Sequence, residues 1–253
     1  MRCAVIVPTY NEAENIAILV ARLLALKPSL DVVVVDDASP DGTGALADEI
    51  AGRESRLHVI HRSGPRGYSI ASKEGMAFCI AHGFDMVATM DADLSHDPAS
   101  LAQLRAEVER GADLAIGSRY CVGGESNVDW SFARRAVSWM GSWYARIMVG
   151  TSVHDCTSGF RCYRAATLSR VALAQIRSEG YSFLIELLAA LRDIDACIVE
   201  VPISYVDRQA GHSKISRGIV FEALWRTTML GASRLAGARR QAVRHLPTDP
   251  RCR

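Results

Sequence analysis

Short apolar runs alternate with amphipathic segments along the first half of the chain. Five such runs predict buried strands, at Cys3–Val7, Asp31–Asp36, Leu57–His61, Met86–Met90 and Asp113–Gly117. The segments between them, at about 12–26, 43–51, 69–82 and 98–110, carry helical periodicity. The second run is apolar without alternation, which is typical of a parallel strand covered on both faces. The pattern therefore predicts an α/β fold, a doubly wound and mostly parallel sheet flanked by helices.

The second half of the chain is less regular. Its predicted elements are a loop at Val122–Asp129, a helix at Trp130–Val149, a turn at Asp155–Arg161 leading into a strand, a buried helix at Phe183–Leu191, a strand at Ala196–Tyr205 and a basic loop at Arg208–Lys214. Pro202 interrupts the last of these strands. Because proline cannot donate to a ladder, we expect that strand at a sheet edge.

A C-terminal amphipathic helix is predicted at 216–238, after a main domain at 1–215 and before a basic tail at 239–253 that we expect to be disordered. Glu222 and Arg226 form an i,i+4 pair on its narrow polar side, and apolar residues cover most of the rest. Two placements stay open. The helix lies on a membrane surface, which its flanking arginines favour, or it packs on the sheet.

The composition narrows the class of protein. With 253 residues and 49% hydrophobic content, the chain can form one large domain with an ample core. Its net charge of +1 lacks the overall bias of nucleic-acid-binding proteins. The seven cysteines are scattered without a C-x-x-C pair, which predicts reduced thiols in a cytoplasmic protein and argues against disulfides and zinc. No apolar run reaches the ~18 residues of a membrane-spanning helix.

An acidic motif, Asp91-Ala92-Asp93, follows the fourth predicted strand. Side chains at i and i+2 of an extended segment share a face, and two carboxylates that close repel unless a cation lies between them. Hard oxygen ligands suit Mg²⁺ or Mn²⁺, which binds one or two carboxylates together with phosphate oxygens. The motif therefore indicates a metal–diphosphate site. The alternative is a solvated acidic turn in which Asp97 caps the next helix.

Other charged residues occupy loops rather than helical faces. Glu12 and Asp37 follow the first two strands, and parallel strands present such ends at one sheet edge, where open α/β sheets bind ligands. Arginine and lysine suit phosphate oxygens, and four such residues lie in or beside loops of the second half: Arg119, Arg134, Arg208 and Lys214. Turn formation and solvated surface charge are the alternatives for these residues taken singly.

Seven segments carry a family resemblance. They are Pro8–Glu12, Val35–Thr43, Met90–His96, Gly117–Tyr120, Asp155–Phe160, Glu200–Ile203 and Arg208–Lys214. Together, and in this order, they resemble inverting glycosyltransferases of family 2 with the GT-A fold, and more closely the polyprenol (dolichol) phosphate mannose synthases. The resemblance covers residues 3 to about 225.

The resemblance implies a set of site residues. Those implied to hold the nucleotide are Pro8, Tyr10, Glu12, Val35 and Asp37. Those implied to contact the donor or its metal are Asp91, Ala92, Asp93 and Ser95, the last standing where relatives often have the stronger ligand glutamine. Those implied to line the diphosphate and the acceptor phosphate are Arg119, Arg134, Ser138, Arg208 and Lys214. Asp155 is a candidate for orienting sugar hydroxyls, with capping of a turn as the alternative.

The resemblance also implies an activity. The enzyme would transfer mannose from GDP-mannose to a polyprenyl phosphate with inversion, using Mg²⁺ or Mn²⁺, in the cytoplasm and peripherally associated with the membrane. The attacking phosphate oxygen is anionic at neutral pH, since the second phosphate pKa is about 6, so no strong general base is needed. UDP-glucose is the alternative donor. From other classes, a catalytically silent sugar-nucleotide-binding subunit and an Asp-x-Asp phosphatase are the alternatives, and no nucleic-acid partner is expected.

Overall fold

The computed structural model describes residues 1–127, 132–206, 224–232 and 234, and for residues 126, 127, 132–136 and 181 it describes the backbone alone. The strands are β1 (Cys3–Thr9), β2 (Asp31–Asp36), β3 (Leu57–His61), β4 (Met86–Thr89), β5 (Leu114–Ser118), β6 (Glu125–Asn127), β7 (Arg161–Arg164), β8 (Ile198–Pro202) and β9 (Ser204–Val206). The helices are α1 (Ala13–Leu24), α2 (Thr43–Ala51), α3 (Tyr68–Ala81), α4 (Leu101–Glu109), α5 (Phe132–Val149), α6 (Ala165–Leu168) and α7 (Gly180–Asp193). Short 3-10 turns occur at Pro98–Ser100 and Leu173–Gln175, and residues 224–232 are helical.

Seven strands form one sheet in the order β3-β2-β1-β4-β7-β5-β8. Only β7 runs antiparallel to its neighbours, β4 and β5, and the other pairings are parallel. Strands β6 and β9 form a separate parallel pair. The prediction of a mostly parallel, helix-flanked sheet is confirmed, as is the edge position of the strand that Pro202 interrupts.

The core lies in two layers, one on each face of the sheet. In β2, Val32 and Val34 pack into the layer that includes α1 and α4, whereas Val33 and Val35 pack into the layer that includes α3, α5 and α7. Successive residues of a strand point to opposite faces. This explains why the parallel strands are apolar at nearly every position.

Several predicted boundaries differ from the structure, and the predicted strand Ala196–Tyr205 is two strands, β8 and β9, in different sheets. Strand β1 does not end at Val7 but continues through Pro8 to Thr9. On this side of β1, strand β4 pairs only with Cys3–Ile6 and has ended before Pro8. Because no strand lies opposite Pro8 there, its lack of a backbone N–H breaks no hydrogen bond of the sheet. The expected loop at Val122–Asp129 contains strand β6, because its backbone pairs in register with β9.

The cysteines only partly follow the expectation. Cys3, Cys79, Cys121, Cys156 and Cys162 are free thiols. Cys197 is disulfide-bonded, so the prediction of reduced thiols is wrong for that residue.

The helix at residues 224–232 packs against α5. Thr228 Oγ1 lies 2.7 Å from Tyr144 Oη, and a side chain at Gly231 would meet Met148 Sδ at 2.7 Å. Thr227 is buried, whereas Leu224, Trp225 and Met229 are exposed. The basic loop Arg208–Lys214, the tail 239–253 and the remainder of the predicted helix 216–238 lie outside the described residues. Among the helices that are described, none has the length and apolarity needed to cross a membrane.

Candidate active site

The predicted site residues gather at one edge of the sheet. Strands β2, β1 and β4 are adjacent and parallel, so the loops that follow them emerge on the same side. Those loops carry Asp37, Glu12 and Asp91, respectively. The expectation that these acidic residues share an edge is thus confirmed by the topology.

The loops after β1 and β2 brace each other. Three consecutive backbone N–H groups, those of Asn11, Glu12 and Ala13, donate respectively to the side chains of Ser39, Thr43 and Asp41 at 2.9–3.0 Å. Asp36 in turn accepts from the Ser39 backbone N–H at 3.1 Å and from its hydroxyl at 2.5 Å. Asp36 and Asp41 therefore build the loop, and the N-terminus of α1 is satisfied by protein groups.

Asp37 is held by a residue that sequence reasoning missed. Arg62, buried at the end of β3, donates to Asp37 Oδ1 and also to Glu74 at 3.0 Å and the Pro65 carbonyl at 3.1 Å. The other oxygen of Asp37 accepts from the Gly67 backbone N–H at 2.7 Å. The basic character of residues 62–67 was visible in the sequence, but nothing local indicated a partner 25 positions earlier.

The remaining nucleotide candidates occupy different depths. Arg66 lies over the Tyr10 ring, with Cζ 4.6 Å from the centroid, and donates to its hydroxyl. Pro8 and Val35 pair in the β1–β2 register. The Val35 side chain is fully buried and packs against Gly75 of α3, so it lies in the core beneath the site. Glu12 lies at the site edge and accepts from the Asn15 amide at 3.0 Å.

The two carboxylates of the acidic motif differ in exposure. The Asp91 side chain is 41% exposed, whereas Asp93 is buried, as is Ala92 between them. Ser95, fully buried, donates its hydroxyl to Asp93 Oδ1 at 2.6 Å and its backbone N–H to the same atom at 3.1 Å. These contacts favour a role for Ser95 in orienting Asp93 over direct metal ligation.

A glycine turn approaches Asp91 from the other side. A Cβ atom at Gly159 would lie 3.2 Å from Asp91 Oδ1 and 3.0 Å from the Tyr68 hydroxyl. The Gly159 backbone carbonyl accepts a hydrogen bond from Thr89 Oγ1 at 2.6 Å. Burial and the charge of Asp91 raise the pKa of Tyr68 well above its ordinary value, so its hydroxyl stays a donor. Tyr68 was not singled out by sequence reasoning.

The residues present suit a hard divalent cation. Among the residues that the structure describes, no group of three or more His, Cys, Asp or Glu side chains could hold a metal ion. From this part of the chain, Asp91 and Asp93 are the two acidic ligands that the acidic motif would supply. Mg²⁺ binds through one or two carboxylates and completes its shell with water and phosphate oxygens, so this donor set fits it.

Arg119, at the end of β5, is bound in a fork by Asp155. Nε lies 2.7 Å from Oδ2 and Nη2 lies 2.9 Å from Oδ1, and the Arg119 backbone N–H donates to Oδ2 at 3.1 Å. Burial alone would raise the pKa of Asp155, but the charge and hydrogen bonds of Arg119 outweigh it and hold that pKa below its usual value. With both oxygens engaged, Asp155 is a partner of Arg119. The predicted contact of Asp155 with sugar hydroxyls stays a prediction.

Glu200 of β8 fixes the turn that carries Asp155. Its carboxylate accepts from the backbone N–H groups of His154 and Asp155, each at 2.9 Å, and lies 2.7 Å from His154 Nδ1. Sequence reasoning placed Glu200 in a family segment without assigning it a role. The signal that could have found it is an acidic residue in an otherwise apolar strand.

Tyr205 connects the acidic motif to Arg119. Its ring centroid lies 5.2 Å from Arg119 Cζ and 5.2 Å from the His96 ring. The backbone N–H of the next residue, Val206, donates to the Ser95 carbonyl at 3.1 Å, and the Ser95 hydroxyl orients Asp93. Burial lowers the pKa of His96 to about 4, so its ring is neutral at neutral pH. Tyr205 therefore lies next to Arg119 and next to His96, which closely follows the acidic motif.

The predicted basic set is only partly described. Ser138 of α5 lies 2.7 Å from the Tyr120 hydroxyl, next to Arg119 in sequence, so these residues line one region of the site. The side chain of Arg134 and the whole of Arg208 and Lys214 lie outside the described part of the chain.

Comparisons with known proteins agree on the family. Residues 4–171 match the model of glycosyl transferase family 2. An undecaprenyl-phosphate mannosyltransferase of Micrococcus luteus is 45% identical over 94% of this chain and 98% of that protein. A polyprenol monophosphomannose synthase of Mycolicibacterium smegmatis is 41% identical over 91% of this chain and 87% of that protein.

Solved structures share the fold at lower identity. Glucosyl-3-phosphoglycerate synthase of Mycobacterium tuberculosis, in complex with Mn²⁺, UDP and glucosyl-3-phosphoglycerate, superposes with a TM-score of 0.63 and 19% identity over 93% of this chain and 80% of that one. A mannosyltransferase of Pyrobaculum calidifontis, in complex with GDP-mannose and Mn²⁺, has a TM-score of 0.55 and 16% identity over 96% of this chain and 76% of that one. By its fold, its site and these matches, the chain belongs to glycosyl transferase family 2.

Proposed function

We propose that this chain transfers the mannosyl group of GDP-mannose to a polyprenyl phosphate, with inversion at the anomeric carbon and with a divalent metal. The observation that carries the proposal is the joining of two half-sites at one sheet edge, the Asp91–Asp93 pair and Arg119, whose side chain is 10% exposed, with the Tyr205 ring beside both Arg119 and His96. The first suits a metal-bound diphosphate and the second an incoming phosphate. The relatives above 40% identity are, by name, transferases of this type.

The donor half-site is formed by the loops that follow strands β1 to β4. Tyr10, Glu12 and Asp37 would hold the nucleoside, with Arg62 fixing the Asp37 carboxylate. Asp91 and Asp93 would hold the metal, which when bound neutralises charge that develops on the leaving diphosphate. The Mn²⁺ in both structural neighbours supports a divalent ion. Either Mg²⁺ or Mn²⁺ fits two carboxylates and phosphate oxygens.

The acceptor half-site needs cationic groups more than a base. A phosphate oxygen of the acceptor forms the new bond to the anomeric carbon, while the bond from that carbon to the diphosphate breaks and its electron pair leaves with GDP. The acceptor is already anionic at neutral pH, since its second pKa is about 6. Arg119 would draw this phosphate towards a site that already holds a diphosphate, and Arg208 and Lys214 would add to it. Attack from the face opposite the leaving group gives inversion.

A membrane-bound location follows from the acceptor. Polyprenyl phosphates are lipids, so the enzyme would work at the cytoplasmic surface of a membrane and associate with it peripherally. The C-terminal helix predicted at 216–238 is the segment whose sequence first suggested this contact, with Arg226 on its polar side and five further arginines in or beside it (Arg217, Arg234, Arg239, Arg240 and Arg244).

The test is transfer of labelled sugar by the purified full chain. GDP-mannose and UDP-glucose are compared as donors with polyprenyl phosphate as acceptor, with and without Mg²⁺ or Mn²⁺. We expect metal-dependent transfer of mannose and a β-linked product by NMR. Arg119→Ala should abolish transfer, whereas Arg170→Ala, an exposed arginine, should retain it. Faster transfer from UDP-glucose would overturn the donor assignment, and an α-linked product would overturn inversion.

A further inference from the structure

Arg161, the first residue of β7, is a fully buried cation. Each of its three side-chain nitrogens donates to a backbone carbonyl: Nε to Ser158 at 2.7 Å, Nη2 to Cys156 at 2.8 Å and Nη1 to Leu184 at 3.0 Å. Within the described part of the chain, its hydrogen bonds go to these carbonyls and not to a carboxylate. A buried charge is costly unless hydrogen bonds replace its lost water, so the arginine and the three carbonyls hold one another in place.

The carbonyls that Arg161 binds belong to two segments of the protein. Those of Cys156 and Ser158 belong to residues 155–160, which we call the site turn, and that of Leu184 belongs to α7. A guanidinium presents its N–H groups in one rigid plane, so it fixes the shape of the site turn together with its distance from α7. A lysine at this position would keep the charge but carry it as a point on a flexible stem.

The strand order places the site turn at the edge that carries the candidate site. Strand β7 lies between β4 and β5 and runs antiparallel to both, so it begins where they end. Arg161 is paired with Thr89, the last residue of β4, and with Ile116 of β5. The site turn directly precedes β7 and therefore lies next to Asp91 and Arg119, which follow those two strands.

One end of the site turn contacts the donor half-site. Gly159 is held at the end of β4, since its carbonyl accepts from Thr89 Oγ1 at 2.6 Å. A Cβ atom at Gly159 would lie 3.2 Å from Asp91 Oδ1 and 3.4 Å from Oδ2. The backbone of the site turn thus packs directly against the Asp91 carboxylate, and a shift of the turn would change the position of that carboxylate.

The other end of the site turn contacts the acceptor half-site. Asp155 binds Arg119 through both carboxylate oxygens, and Thr157 accepts from Arg119 Nη2 at 3.1 Å. Between Asp155 and Thr157 lies Cys156, whose carbonyl accepts from Arg161. The position of the Arg119 guanidinium therefore depends on the site turn as well as on β5.

We propose that Arg161 is a positioning residue for both half-sites: by holding the site turn, it sets the Asp91 carboxylate on one side and the Arg119 guanidinium on the other. The inference rests on the proposed function and deepens it, because one buried side chain aligns the donor with the acceptor phosphate. A misplacement of about 1 Å can cost about 100-fold in rate, so a residue of this kind affects catalysis without touching a substrate. The sequence placed Arg161 only at the end of a turn.

The test is Arg161→Lys, with Arg105→Lys as the matched control. Arg105 is also buried and donates to a carbonyl, that of Pro28 at 2.7 Å, but Pro28 precedes β2 at the opposite edge of the sheet. We expect Arg161→Lys to weaken Mn²⁺ binding in the presence of GDP about tenfold, read by electron paramagnetic resonance without turnover. It should also lower kcat/KM for a polyprenyl phosphate about 30-fold. A change in only one of these quantities, a change in neither, or equal changes in Arg105→Lys overturns the proposal.

Two further variants confine the disturbance to one end of the site turn. Gly159→Ala presses on Asp91 and should weaken Mn²⁺ binding, with KM for the acceptor unchanged at saturating Mn²⁺. Thr157→Val removes the hydroxyl that accepts from Arg119 and should lower kcat/KM for the acceptor, with Mn²⁺ binding unchanged. Arg161→Lys should combine both effects. Loss of both quantities in Thr157→Val would assign the link between the half-sites to the turn itself and overturn the role of Arg161.

Hydrogen exchange of the unliganded wild type decides the question even if Arg161→Lys does not fold. Because the protein alone makes the contacts of Arg161, residues 155–160 should exchange as slowly as β5 before any ligand is added. Fast exchange that slows only with GDP-mannose and Mn²⁺ would show that ligands order the site turn, and would overturn the proposal. If the wild type transfers no mannose, the proposed function fails, whereas Mn²⁺ binding and hydrogen exchange still decide the role of Arg161.

Discussion

Asp155 binds Arg119 through both carboxylate oxygens, 2.7 Å from Nε and 2.9 Å from Nη2, in a position that solvent does not reach. Arg119 directly follows β5, whereas Asp155, 36 positions later, lies in the loop between α5 and β7. A bidentate carboxylate fixes the plane of a guanidinium as well as its place, so the direction in which Arg119 meets a phosphate depends on Asp155.

Replacing Asp155 by asparagine should impair acceptor use more than donor use. The asparagine keeps one acceptor oxygen but turns an NH₂ group towards the arginine, so the fork is broken and Arg119 is free to shift. We expect kcat/KM for the polyprenyl phosphate to fall about 100-fold, a loss of about 3 kcal/mol. KM for GDP-mannose should change by less than about threefold. Steady-state kinetics with each substrate varied in turn measures both, and a selective rise in KM for the donor would contradict the assignment.

The stability difference between Asp155→Asn and the wild type should depend on pH. The folded pKa of Asp155 is lowered, so its charge stabilises the fold above its unfolded pKa of about 3.9, and this stabilisation is lost as the pH falls through the folded value. The free energy of unfolding of Asp155→Asn should therefore lie about 3 kcal/mol below that of the wild type at neutral pH. The difference should shrink towards acid pH. Denaturant unfolding at a series of pH values measures it, and a difference that stays constant down to strongly acid pH would show that the carboxylate charge is not its source.

Glu200 should act on Arg119 through Asp155. In Glu200→Gln the carboxamide cannot accept from both backbone N–H groups and from His154, so the turn at 154–155 loosens and we expect kcat/KM for the acceptor to fall about tenfold. In the double variant with Asp155→Asn the two losses should not add, because they act in one chain of contacts. The matched control is Glu107→Gln. Glu107 lines a surface cleft together with His154 and Glu200, but its carboxylate pairs with Arg110. Additive losses of kcat/KM in the double variant, or an equal loss in Glu107→Gln, would contradict a role of Glu200 in positioning Asp155 and Arg119.

Variants of Asp93 and Ser95 should distinguish metal ligation by a carboxylate from the orientation of that carboxylate. Asp93→Ala removes a carboxylate and should abolish metal-dependent transfer while the circular dichroism spectrum is unchanged. Ser95→Ala removes only the hydroxyl that orients Asp93, so we expect the half-saturating Mn²⁺ concentration to rise about tenfold with kcat at saturating metal nearly unchanged. Asp97→Ala, which loses a cap on the Pro98–Ser100 turn, should leave metal affinity unchanged. Metal titration of activity gives all three. Activity of Asp93→Ala near the wild-type level would refute the metal site.

The strands and their shared edge were predictable because their signals are local. A run such as Asp31–Asp36 is apolar on both faces, so it is stable only where both faces are covered, as in the interior of a parallel sheet. Once the strands are parallel, the residues that follow β1, β2 and β4 must emerge together, so Glu12, Asp37 and Asp91 could be grouped from the sequence. The family resemblance added Arg119 and Ser138 as residues of the same site.

Partners at long range were decided by the tertiary structure alone. Arg62 meets Asp37 across 25 positions, Arg119 meets Asp155 across 36 and Asp155 meets Glu200 across 45. A charged residue in a sequence has many possible partners, and its burial, which decides whether it needs one, depends on how distant elements pack. For the same reason the pattern of α5 predicted a helix but not which apolar residues would face solvent. That depends on how much of its apolar surface the sheet and helix 224–232 can cover, and they leave Trp139 and Trp143 exposed.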